Sequence, residues 1–216
     1  MIKGLTINFL WTLGKSWSCL YSHNNSGRIA AIKRILYSAW ISREFKYFGK
    51  RSVISSLDSL VGGKYISIGE RCKIGKRTVL TAWCKHGSDT FMPHITIGNN
   101  VSIGDDSHIT AINRIDIGSD VLTGKKITIT DNVHGKSISD SLTLPPSVRP
   151  LYSKGPVIIE DGVWIGDKVT ILPRVRIGKN AIIGANAVVT KDIPAYCLAL
   201  GIPAKVIKSF IDEENK

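Results

Sequence analysis

Histidine is the side chain best suited to take a proton from a hydroxyl near neutral pH. This chain of 216 residues has five: His23, His86, His94, His108 and His134. A neutral imidazole in reach of an alcohol could act as its base. No GxSxG elbow and no Ser, His, Asp order accompanies these histidines, so nothing points to a serine acyl-enzyme. The cysteines, Cys19, Cys72, Cys84 and Cys197, form no CxxC pair and lie far apart. They read as buried reduced thiols rather than a disulfide frame or a zinc site, with the cytosol as default compartment. A lone histidine is more often structural than catalytic, so its place in the chain has to decide.

That place is set by a six-residue clock. From Val157 onward an aliphatic residue returns at Ile159, Ile165, Ile171, Ile177, Ile183 and Val189, with glycine after three of them at Gly166, Gly178 and Gly184. Four residues after each comes a small or branched residue: Val163, Val169, Val175, Ala181, Ala187 and Ile193. A helix of period 3.6 would drift out of phase with such a repeat, and an alternating strand gives no reason for the glycines. A parallel β-helix satisfies the pattern, each hexad supplying a short strand and a corner and three hexads closing one coil. Coils then stack at the strand spacing of roughly 4.8 Å, with the aliphatics in ladders inside the prism.

Taken in order, residues 1–51 stand outside the clock. Ile2, Leu5, Phe9, Leu10, Leu13 and Trp17 fall at helical spacing, as do Ile29, Ile32, Leu36, Ala39 and Trp40, with HNNSG at 23–27 as a break. Up to Lys50 this segment has eight Lys or Arg against one acid, Glu44. The simpler reading packs both helices across an open end of the β-helix. The sharper reading is a basic, aromatic surface making peripheral contact with an anionic membrane through residues 1-51. The segment lacks the roughly 20 apolar residues needed to span a bilayer.

The clock starts with Ile68, Ile74 and Leu80, is interrupted by HGSDTFMPHIT at 86–96, and resumes at Ile97, Ile103 and Ile109. It slips by two residues around Ile115 and Asp116 and restarts at Ile117, Thr123 and Ile129, where Thr123 is a weak ladder position. It then stops at residues 135-154, a loop with three prolines. A loop of that length inside a compact repeat is usually functional or disordered. His23 and His86 therefore sit in breaks and His94 in an excursion, whereas His108 and His134 end hexads and His134 stands at the base of the long loop. The pattern divides the chain into a basic helical segment, 1-62, a repeat domain of about five coils, 63-194, and an extension, 195-216, that leaves the helix.

Four stretches together carry a resemblance: ITDNVHG at 129–135 with its loop, VWIG at 163–166, AVVTKDIP at 187–194 and GIPAKVIK at 201–208. In this order they resemble the left-handed β-helix, or hexapeptide-repeat, acetyltransferases. Within these the chain is most similar to the sugar O-acetyltransferases of the maltose and galactoside acetyltransferase type and their relatives in surface-polysaccharide assembly. The match covers 67–208, and the first fifty residues do not resemble the helical start of maltose acetyltransferase. The resemblance implies an all-β, left-handed parallel β-helix with an N-terminal helical segment, assembled as a homotrimer. It also implies acetyl-CoA as co-substrate without a metal, and direct attack on its acetyl group by a sugar hydroxyl of O-antigen, capsule or exopolysaccharide; the cytoplasmic location expected from the cysteines then extends to the inner face of the membrane.

By the same resemblance His134 matches the general base, at a cleft between subunits. Ala185, Thr190 and Lys191 match positions along the pantetheine and phosphates. Lys205 and Lys208 match basic positions that reach the CoA phosphates, where larger relatives often have Arg; lysine keeps the charge without the bidentate fork. Trp164 matches an aromatic beside the acceptor. For acceptor contacts the candidates are Asp106 and Asn113, with Ser107 and His108 beside them, and Asp131, which would bind the acceptor, orient His134 or simply make a corner. Two other classes stay open: an N-acetyltransferase on a nucleotide-linked amino sugar, and a non-catalytic β-helix scaffold. A carbonic anhydrase of the same fold would need three zinc histidines, two of them close in sequence, and this chain lacks that spacing. The net charge of +12 suggests an anionic partner, but no recognised motif supports nucleic acid.

Overall fold

A computed structural model describes residues 4–20, 23–136 and 143–211 of the chain. Its centre is a triangular prism of six coils, and each coil contributes one strand to each of three parallel sheets. The first face runs from Tyr47–Phe48 through Ile66–Ile68, His94–Ile97, Arg114–Ile117 and Val157–Ile159 to Arg176–Ile177. The second runs from Val53–Ile54 to Ile182–Ile183 and continues into Cys197–Leu200 and Lys205–Ser209. The third runs from Leu57–Val61 through Thr78–Ala82, His108–Ala111, Thr128–Thr130 and Thr170–Ile171 to Val188–Val189.

The clock residues are the ladders. On the first face Ile68 aligns with Ile97, Ile97 with Ile117, Ile117 with Ile159 and Ile159 with Ile177. On the third Leu80, Ile109, Ile129 and Ile171 do the same, and nearly all of these side chains are fully buried. Burial of each contributes about 1.5–3 kcal/mol. The glycine that follows a ladder residue has a steric reason: a Cβ on Gly98 would lie 2.7 Å from the backbone carbonyl carbon of Gly118 in the next coil. Thr123, the odd ladder member, is buried but satisfied, donating to the Gly124 carbonyl at 3.0 Å and accepting from the Gly104 N–H at 3.1 Å. Its hydroxyl costs little because it is satisfied both within its own corner and from the neighbouring coil.

Three features depart from the sequence expectation. There are six coils, not five, because Tyr47–Phe48, Val53–Ile54 and Leu57–Val61 already form one without hexads, so the β-helix begins before residue 63. The chain does not leave the prism at 195: Cys197–Leu200 pairs in parallel with Ile182–Ile183, and Lys205–Ser209 turns back antiparallel along it. Of the cysteines, Cys72 and Cys197 are buried, whereas Cys19 is exposed and Cys84 partly so.

The N-terminal helices are α1, Gly4–Leu20, and α2, His23–Ile41, so the HNNSG stretch starts a helix instead of separating two. Only the end of α2 packs on the prism. The Ser38 hydroxyl accepts from the Ile54 N–H at 2.8 Å, the Tyr37 hydroxyl accepts from the Leu57 N–H at 3.1 Å, and Ile41 and Phe45 join the core. These bonds occupy edge-strand groups that the first coil would otherwise leave open.

Candidate active site

All long departures from the clock leave at one edge of the prism, between the third and the first face. After Leu80 the chain makes a hairpin from Lys85–His86 to Asp89–Thr90. After Ile109 it inserts Ile112 and Asn113. After Ile129 it makes the long loop, which returns at Leu151–Tyr152. Stacked above one another, these departures raise a wall beside the outer surface of the third face.

Asp131 explains the two-residue slip. It is fully buried, and its carboxylate accepts from the Ile112 N–H at 2.9 Å, the Asn113 N–H at 2.8 Å and the Asn132 amide at 3.0 Å. The inserted corner thus finds its acceptors in the coil above, and both Asp131 oxygens are taken. This corrects the acceptor-binding and His134-orienting readings of Asp131 in favour of the corner.

His134 is held by its backbone. Val133–His134 pairs antiparallel with Leu151–Tyr152, with His134 opposite Leu151, and the Gly135 N–H donates to the Pro150 carbonyl at 2.8 Å. Its side chain is exposed, and among the described residues neither ring nitrogen has a hydrogen-bond partner. It lines a cleft of about 530 Å³ whose floor is the outer surface of the third face: Thr81, His108, Thr110, Thr128 and Thr130. The rim includes Trp83, His86, Asn132 and Leu151. The Thr81 hydroxyl donates to that of Thr110 at 2.9 Å, and Thr130 accepts from the Asn132 N–H at 3.2 Å, so the hydroxyls of the floor are held in place.

His86 belongs to this cleft, with its ring edge-on to His134 at a centroid distance of 5.7 Å. Sequence reasoning passed over it as a residue in a break. The available signal was that its excursion follows Leu80 just as that of His134 follows Ile129, at the same prism edge. His108 lies on the floor, aligned with Thr128 above and Val79 below. The cleft walls desolvate its imidazole and push its pKa below the ordinary histidine value, although the residue as a whole remains exposed.

The other expected site residues divide into groups. Thr190 and Lys191 follow Val188–Val189 at the C-terminal end of the same face, two coils above His134, and both are exposed. Ala185 and Lys205 lie at the opposite edge of that end, where Lys205 pairs with Leu200. Lys208 stands on the second face opposite Leu198, its ammonium 5.1 Å from the Phe210 ring. Trp164 is also on the second face, exposed between Leu122 and Ile182, and so away from the cleft of its own chain.

Asp106 is a correction. It is a corner residue with φ 60°, and its carboxylate accepts from Arg77 at 2.6 and 2.8 Å, a pair that holds its carboxyl below the usual range. Asn113 is exposed but lies behind Leu151 and Tyr152, in a separate small pocket with Phe91 and Met92. Among the described residues no cluster of His, Cys, Asp and Glu could hold a metal ion.

Residues 156–191 match the model of the bacterial transferase hexapeptide family (six repeats). The chain is 40% identical over 123 residues to the putative lipopolysaccharide biosynthesis O-acetyl transferase WbbJ of Escherichia coli, covering 55% of this chain and 62% of that protein. It is 32% identical over 165 residues to the galactoside O-acetyltransferase of the same organism, covering 76% of this chain and 73% of the relative. Among solved structures, AntD, an N-acyltransferase from Bacillus cereus in complex with dTDP and coenzyme A, superposes with a TM-score of 0.62 at 21% identity. That match covers 82% of this chain and 92% of AntD, and it bears on the fold alone.

Proposed function

Because the chain belongs to the hexapeptide-repeat acetyltransferase family, we propose that it transfers the acetyl group of acetyl-CoA to a sugar hydroxyl in surface-polysaccharide assembly, with His134 as general base. The observation that carries this reading is the placing of His134: backbone-locked at the rim of a cleft floored by threonine and histidine side chains, with neither ring nitrogen bonded to any described residue. As the hydroxyl oxygen bonds to the acetyl carbonyl carbon and the carbon–sulfur bond breaks, its proton passes to His134. The imidazolium then returns the proton to the departing sulfur, leaving the ester and the free thiol of CoA.

The donor site fits the same groove. Thr190, Lys191, Ala185 and Lys205 border the third face two coils from His134, roughly 10 Å along the prism. Cations at that distance suit the phosphates of CoA when its thioester end lies at the imidazole. Lys208 on the second face is the least direct of these contacts.

Trp164 can reach such a cleft only from a neighbouring copy, which favours a homotrimer in which the second face of one subunit closes the third face of the next. The apolar row of Leu122, Trp164 and Ile182 on that face supports the packing. We place the activity in the cytoplasm, where acetyl-CoA is made, with peripheral membrane contact through residues 1-51.

Thiol release from acetyl-CoA with a panel of sugars and nucleotide sugars tests the proposal. Hydroxylamine-labile product supports the O-acetyl ester; a stable product on an amino sugar would replace it with N-acetylation. No release with any acceptor, from protein that binds CoA, would favour a scaffold.

A further inference from the structure

The apolar stripe of α2 points away from the prism. Ile32, Leu36 and Trp40 are 58%, 65% and 72% exposed, while the opposite side of the helix, with Tyr37, Ser38 and Ile41, makes the packing contacts. In α1, Phe9, Leu13 and Trp17 recur every four residues and are likewise exposed, and on the other side Ile7 and Trp11 are exposed beside Lys15. No described residue covers either face. Neither helix is long and apolar enough to cross a membrane.

A second observation lies at the foot of α2. A hollow of about 800 Å³, entered past Ile35 and Ala39, is lined by Arg43, Lys46, Lys50 and Arg51. None of these four is ion-paired among the described residues, and Glu44 is the only acid in residues 1–57. An apolar face that runs into an uncompensated cationic hollow has the order of a lipid: tail side, then phosphate side. Two copies of this surface packed on each other would bring together cations with no acids to offset them, so like-charge repulsion disfavours self-association.

We propose that α1, the outer face of α2 and this hollow form a docking surface for a bilayer containing anionic phospholipids. The apolar faces enter the headgroup–acyl boundary, and Arg43, Lys46, Lys50 and Arg51 take the lipid phosphates. This rests on the peripheral contact proposed above and deepens it by naming the face and the side chains that take the lipid phosphates.

Co-sedimentation of the full chain with vesicles, at about 0.1 M salt, tests it. Vesicles of phosphatidylcholine alone are compared with vesicles containing phosphatidylglycerol. Binding is expected to be at least about tenfold tighter to the anionic vesicles, and the double variant Arg43→Glu/Lys46→Glu should lose roughly that factor. Trp17→Glu, at an exposed position, should abolish binding while leaving the thermal midpoint unchanged. Equal binding to both vesicles would keep a membrane contact and overturn the anionic site. Binding to neither would overturn both, and a fall in sedimentation coefficient with Trp17→Glu would assign the face to a second copy. His134→Ala should bind vesicles as the parent does, which separates this result from the fate of the acetyltransferase reading.

Discussion

The rings of His86 and His134 meet edge to face, with centroids 5.7 Å apart and planes at 75°, although their segments leave coils two turns apart. Among the described residues His134 is otherwise held by its backbone pairing alone, so His86 is positioned to fix the rotamer of the proposed base. An edge contact of this kind contributes about 0.5–1.5 kcal/mol. If that energy selects the productive rotamer, His86→Ala should lower kcat by roughly 2- to 12-fold and leave the KM for acetyl-CoA unchanged. His86→Phe keeps the aromatic edge and should recover most of the rate. Equal loss in both variants, or a loss confined to KM, would show that His86 does not act by positioning.

Asp131 shows why the site was harder to read than the fold. The ladder from Ile68 to Val189 follows from a period visible in one sequence, because each side chain answers to its neighbour one coil away. The two-residue slip was visible too. Its cause was not, since it depends on Asp131 bonding to amides 18 and 19 residues earlier. His86 was missed for a similar reason: the clock tells where the chain leaves the prism, but not which excursions meet outside it. Trp164 and Asp106 carry the same lesson in reverse, for the resemblance supplied their roles without the face of the prism on which each stands.

Removal of the Asp131 carboxylate should be a stability event. Asp131→Ala leaves the N–H groups of Ile112 and Asn113 without acceptors in a corner where Ile112 is buried. Each unsatisfied buried group costs about 1–3 kcal/mol, so a loss of about 2–6 kcal/mol is expected in chemical denaturation. Variant protein that stays folded should keep the parental KM for acceptor. Unchanged stability with a raised acceptor KM would return Asp131 to the binding site.

His108 sets a pH dependence. Desolvation lowers its folded pKa below the ordinary histidine value, so between the two values the unfolded chain binds the extra proton. Stability from this residue is therefore complete above the unfolded pKa and declines as the pH falls below it. His108→Gln should remove that part, making the drop in thermal midpoint from pH 7.5 to 5.5, a range of about 2 pH units around the free histidine value, smaller than in the parent. An identical drop in both proteins would mean that His108 charges as readily in the cleft as in the unfolded chain.

Lys191 and Lys205 flank the far end of the groove and are exposed, so each is expected to act as a screened point charge worth about 0.2–1 kcal/mol. The double variant Lys191→Ala/Lys205→Ala should weaken CoA binding by roughly 2- to 30-fold. It should also flatten the fall of affinity with salt seen in the parent. Dephospho-CoA and pantetheine separate the contributions, because the variant and the parent should bind pantetheine alike. A variant with parental CoA affinity and parental salt dependence would remove both lysines from the donor site.

His134→Ala carries the most weight. The residue sits on a two-residue antiparallel bridge with its side chain toward solvent, outside every ladder, so its truncation should leave the thermal midpoint nearly unchanged. The bridge itself is made of backbone groups and survives the loss of the ring. A positioned general base contributes on the order of 10² to 10⁴ to the rate, and turnover should fall by that range. Because the ring lies two coils from the proposed phosphate contacts, CoA affinity should not change. Acid should slow the parent, whose base works only as neutral imidazole, while the residual rate of the variant should be flat across the same pH range. A folded His134→Ala protein that binds CoA and acetylates at near parental rate would transfer the role of base to another residue of the cleft, with His86 and His108 as the two imidazoles left to test.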